Sequence, residues 1–209
     1  MDKYPSILDK LALTVESAKL AKSIIVKTEG IGEEINLNMV GWRDDEVFIV
    51  CQLTQGAWDD TRERALKLIE CAYLMRQVWQ VSEITLVAEA FCSTDADATR
   101  GKDLRAMFAE QNSPVLECLS VSHMVIDDEP IYVAVPYICM APRKVVYYNP
   151  VRHMGEGVVR DSVIPAGILK MLDSDVSDKY IGLSEDAMEL TREAIANGLT
   201  DMGFEVKYR

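Results

Sequence analysis

Hydrophobic and polar positions follow two periods along this chain, and the points where one gives way to the other mark its elements. Ala65, Leu68, Ile69, Ala72, Met75 and Trp79 recur at three- and four-residue steps, the stripe of a long helix over 58–80. Arg62, Arg64, Lys67 and Glu70 fall on the other side. Asp60 and Glu63 have capping-box spacing, and Asp59 and Asp60 sit where the helix dipole favours negative charge. After Val81-Ser82 the period shortens. Ile84, Leu86, Ala88 and Ala90 alternate with Val87 and Phe91, so the strand ending at Ser93 is apolar on both faces and belongs inside a sheet. Glu89 is its discordant residue.

The same reading extends to both ends. Leu8, Leu11, Ala12, Val15 and Ala18 predict a helix over 5–22, with Ser6 as N-cap, and the β-branched run 23–28 predicts a strand. Ile35, Leu37 and Met39 alternate with asparagines, and 47–53 is apolar on both sides, so the two form a hairpin around 42–46. A short helix is expected over 102–111. Two strands, 115–126 and 131–140, meet at Asp127-Asp128-Glu129-Pro130, and 144–148 continues the edge. Pro136 marks its strand as an edge or a bulge. Residues 151–164 read as an irregular connection and 165–172 as a short helix. Ser184 caps a last helix, Gly203 ends it, and Phe204, Val206 and Tyr208 alternate in a final strand.

These elements give an α+β fold. We expect a mixed or antiparallel sheet of about five to seven strands, with the long central helix packed on it and a helical C-terminal segment. Residues 1–150 are expected to form the α+β core and 151–209 a helical extension packed on it, one domain overall.

Composition narrows the class. The chain has 209 residues and a formal net charge of −12, and acidic residues outnumber basic ones in every quarter of it, so no segment offers the Lys/Arg patch that phosphate backbones need. Nucleic acid is disfavoured as a partner. No apolar run approaches the ~18 residues of a membrane span, and the first residues lack a signal-peptide layout, which implies a cytoplasmic protein. The five cysteines, Cys51, Cys71, Cys92, Cys118 and Cys139, are odd in number and widely spaced, and read as reduced core residues rather than a disulfide or zinc framework.

The order of elements is shared loosely by zinc deaminases and JAB-type isopeptidases. The deaminase string H-x-E…P-C-x-x-C does not occur, and two histidines in all argue against a paired-histidine zinc site. No metal and no cofactor are expected. The helix–strand–loop–strand stretch over about 58–126, with Val-Ala-Glu-Ala-Phe ending its strand and Glu117-Cys118-Leu119-Ser120-Val121 resuming, resembles small uncharacterised proteins encoded by bacteria and their phages. The resemblance implies no activity, only a phage accessory protein acting in the host cytoplasm.

Three groups of residues could carry chemistry. Burial would raise the pKa of Glu89 into a useful acid–base range, unless basic or backbone donors make it a structural partner. His123 lies on an apolar strand between Val121 and Val125, as a core residue or as the base of a Glu89–His123 couple. Arg152, His153, Gly155, Glu156, Gly157 and Arg160 form a glycine-containing basic segment suited to a phosphate-type anion, though without the P-loop string. No serine sits in a nucleophile elbow. The reading favoured is therefore a non-enzymatic protein-interaction module, with ten methionines suited to adaptable contacts and Pro136, Tyr147 and Tyr148 as an interface to a partner or to further copies of the chain. The alternative is a small hydrolase or ligand-binding protein using Glu89, His123 and the 151–160 segment.

Overall fold

The computed structural model describes residues 4–54, 61–110, 112–154 and 163–209. The chain forms α1 (Tyr4–Thr28), β1 (Asn38–Arg43), β2 (Glu46–Leu53), α2 (Thr61–Val78), β3 (Glu83–Ser93), α3 (Ala96–Thr99) and α4 (Leu104–Phe108). There follow β4 (Val115–Val125), β5 (Ile131–Met140), β6 (Lys144–Tyr147), β7 (Val151–Met154), α5 (Val163–Leu172), α6 (Glu185–Asp201) and β8 (Phe204–Tyr208). The fold is α+β, as the pattern predicts, but its antiparallel sheet has eight strands. Their order is β6–β5–β4–β3–β1–β2–β8, with β7 also paired to β5. Among the described residues no helix is long and apolar enough to cross a membrane.

The chain divides into two compact units that interleave in sequence: 1–35, 87–121 and 132–153 make one, and 36–86, 122–131 and 154–209 the other. β3 and β4 each contribute to both units.

In the first unit α1 is continuous to Thr28, and the strand expected over 23–28 is not formed. Ile7, Leu11, Val15, Ala18, Lys22 and Val26 are buried at three- and four-residue steps, so the packed stripe carries the helix through its β-branched end. The propensity cost of those residues is only a few tenths of a kcal/mol each, about 0.7 at most. The Arg143 guanidinium, on a residue at φ 79, donates to the Lys27 carbonyl (3.1 Å) and caps the helix end.

In the second unit Leu68, Cys71, Ala72, Met75, Val78 and Trp79 of α2 pack with Met39, Ile49, Ile84, Met124, Ile168, Leu172, Leu199 and Phe204 in one core. β1 and β2 turn through Asp44 and Asp45, both at positive φ (52 and 66), a two-residue hairpin of the primed type. Gln77 of α2 donates to the Asp175 carbonyl (2.8 Å) and accepts from the Ser177 N–H (2.7 Å), which fixes the chain after α5. Ser184 Oγ accepts from Ala187 N–H, and Gly203 at φ 95 ends α6.

Candidate functional site

The buried stripe of α1 delivers a cation into the first unit. Lys22 Nζ lies 2.8 Å from Glu89 Oε1 and donates to the Glu33 carbonyl at 2.6 Å. It stands 5.1 Å from the centroid of the Tyr137 ring, within cation–π range. Ile35 N–H also donates to Glu89 Oε1, at 3.1 Å. The two side chains are 1% and 8% exposed, so the discordant carboxylate of β3 is answered by a lysine and a backbone donor. Glu89 Oε2 and Tyr137 Oη, both buried, complete no hydrogen bond of good geometry. Burial, reinforced by the Glu89 and Glu117 carboxylates, pushes the Tyr137 phenol far above its ordinary value. Burial likewise raises half-buried Glu117, with Lys22 opposing and Glu89 and Glu34 adding to the rise. This cluster holds charge in place, and its phenol is held in the protonated form.

The second unit contains a buried relay. Trp42 Nε1 donates to Thr85 Oγ1 at 2.9 Å, and Thr85 Oγ1 lies 2.7 Å from His123 Nδ1. The indole N–H donates to the Thr85 hydroxyl, which keeps a second lone pair and its own proton for the contact with the imidazole. On the far side of the ring Nε2 lies 3.2 Å from Glu83 Oε2, a close contact that completes no hydrogen bond of good geometry. Hydroxyl, imidazole and carboxylate follow one another in the order that nucleophilic catalysis uses. Burial decides what the relay does here: Thr85 and His123 have no exposure and Glu83 has 9%. A substrate carbonyl has no approach to Thr85, whose oxygen is also occupied by the Trp42 N–H.

The remaining expected residues are placed separately. Glu89 belongs to the first unit and His123 to the second, and among the described residues they have different partners, Lys22 and Ile35 for the one, Thr85 and Glu83 for the other. Arg152 is exposed on β7, and His153 follows it on the same strand. Gly155, Glu156, Gly157 and Arg160 lie outside the described residues. Pro136 is buried in β5, which has β4 on one side and β6 and β7 on the other, so the expected edge is an interior strand. Its carbonyl accepts from the Tyr148 N–H at 2.8 Å, just past the last β6 pair at Tyr137↔Tyr147, so only the missing donor is lost from the end of that ladder. Tyr147 Oη donates to the Lys19 carbonyl (2.7 Å) and accepts from Ser23 Oγ (3.0 Å), tying β6 to α1. Tyr148 is 47% exposed.

The cysteines are free thiols. Hydrogen bonding from Cys118 holds the half-buried Cys92 thiol below its ordinary value, and the same contact, with burial, pushes Cys118 far up. Lys22, Glu83, Thr85 and Trp42 belong to no motif that marks them in the sequence. Their signals were present: Lys22 continues the apolar spacing of Val15 and Ala18, and Thr85 is the one hydroxyl between Ile84 and Leu86.

The second unit also has an open groove of about 500 Å³ between the 3-10 turn at Asp178–Tyr180 and α6. Gln80, Tyr180, Ile181, Leu183, Met188 and Arg192 line it. No protein-family model, no curated protein and no solved structure matches this chain.

Proposed function

We propose that the protein is a non-enzymatic interaction module, an accessory protein of bacteriophage type that acts by binding another protein in the host cytoplasm. One observation carries the reading. Two ionisable pairs, Lys22–Glu89 and His123–Glu83, are internal, whereas large apolar side chains stand at the surface. Ile181 is 59% exposed and Leu183 39% exposed on the groove wall, beside Arg192. A segment with an apolar anchor and an acidic flank suits that groove: the anchor would cover Ile181 and Leu183, and the carboxylate would meet Arg192. Ile181→Asp with Leu183→Asp tests this in paired captures with the unchanged chain. A protein held at fixed stoichiometry by the unchanged chain and lost by the variant supports the groove as its seat. Equal retention by both removes it.

A second reading, a small hydrolase or a binder of a phosphate-type ligand, is favoured by the Thr85–His123–Glu83 order alone. It requires the relay to open to solvent. Protection of the His123 and Thr85 amides from hydrogen exchange, at the level of their neighbours in β3 and β4, argues against such opening.

A further inference from the structure

Helix α1 presents a second apolar stripe to solvent, opposite the one it buries. Leu13 is 64% exposed, Leu20 63% and Ile24 51%. At 100° per residue these three fall within an arc of about 40°, centred on the side of the helix away from Leu11, Val15, Ala18, Lys22 and Val26. Ser17 completes the row between Leu13 and Leu20. A solvated helix face has no need of three large aliphatic side chains in register, and each is unfavourable there.

The charges around the stripe indicate what covers it. Its midpoint lies between Ala18 and Lys19. Asp9 and Lys27, both exposed, stand on the same edge of the stripe, about five turns apart and nearly equidistant from that midpoint. A two-fold axis lying in the interface plane, perpendicular to the helix axis, sets α1 against its own copy in antiparallel sense, and it lays each edge against the same edge of the copy. Leu13 then meets Ile24 of the second copy, Leu20 meets Ser17, and Asp9 meets Lys27, each contact made twice. The small Ser17 at the centre admits Leu20, as a knob enters a hole. Glu16, the other described charge on that edge, is held by Lys19 of its own helix at 2.7 Å.

We infer that the protein self-associates as an antiparallel dimer through the exposed face of α1, with Leu13, Leu20 and Ile24 as its apolar seam and Asp9–Lys27 pairs at both ends. The inference does not depend on the groove or on any partner protein. The seam is much smaller than the 20–30 residues a side of a standard interface, so the dimer is a weak one that forms at micromolar or higher concentration.

Sedimentation equilibrium of the full chain, from micromolar to about 0.5 mM, tests it. A monomer–dimer equilibrium is expected. Leu20→Glu, at an exposed site where the fold loses nothing, should weaken association tenfold or more, with an unchanged thermal melt of the monomer as control. The charges supply a signature that a general loss of hydrophobicity would not give. Asp9→Lys alone and Lys27→Asp alone should each weaken the dimer several-fold, since each sets like charges opposite one another twice. The two single variants mixed together, and the double variant by itself, should recover association. A protein that stays monomeric throughout this range overturns the inference, and so does a dimer indifferent to Leu20→Glu. A dimer weakened by Leu20→Glu but not restored by the charge exchange overturns the antiparallel arrangement.

Discussion

At the scale of single residues, the most consequential position is Lys22, because a lysine with 1% exposure is tolerable only with Glu89 beside it. Removing one partner leaves the other charge buried. Lys22→Met should therefore cost about 3–5 kcal/mol in urea denaturation, while Lys22→Met with Glu89→Leu should recover most of the loss. Glu117 gives a different prediction. Its carboxyl is raised by burial, so the folded state holds the proton more tightly than the unfolded chain does. The stability it contributes is complete below the ordinary carboxylate range and is lost as pH rises through the elevated value. Glu117→Gln should raise the melting temperature at about pH 7 and leave it nearly unchanged at about pH 4. A lower melting temperature at neutral pH would show that the Lys22 attraction outweighs the effect of burial.

At the scale of elements, packing decides what propensity leaves open. In the second unit α2 and α5 approach closely at Gly167. A Cβ there would meet the Ile69 side chain at its Cγ1 and Cδ1 atoms. Gly167→Ala should destabilise by about 1–3 kcal/mol despite the better helix propensity of alanine, and Ile69→Val in the same background should recover part of it. Hydrogen–deuterium exchange localised to α2 and α5 would check the assignment. The same contest between packing and propensity explains which elements were legible in the sequence. β3, β4, β5, α6 and β8 carry clean periods bounded by strong punctuation: Asp127-Asp128-Glu129-Pro130, Ser184 and Gly203. The end of α1 was not legible, because Ile24, Ile25 and Val26 favour a strand locally and only the buried face of Val26 shows the helix continuing. The interior place of β5 was hidden too, since strand order is set by pairing across the fold rather than by the local pattern. Glu89 was recognisable as a misfit from its neighbours alone. Its lysine, 67 positions away, was not.

At the scale of the whole molecule, the two compact units interleave along the chain. The chain passes between its two units five times, and a division of β3 or β4 leaves no mark in composition. The net charge of −12 is similarly spread, which favours solubility over attraction to phosphate surfaces. On the proposed function the two ionisable clusters serve as internal structure and the protein acts through its surface. Native mass spectrometry of the protein, captured gently from its own lysate, is the decisive test. The expected result is a protein partner at fixed stoichiometry and no bound small mass. A small mass that is retained by the unchanged chain and lost on Glu89→Gln or Glu83→Gln would contradict it, and would make one of these clusters a ligand site.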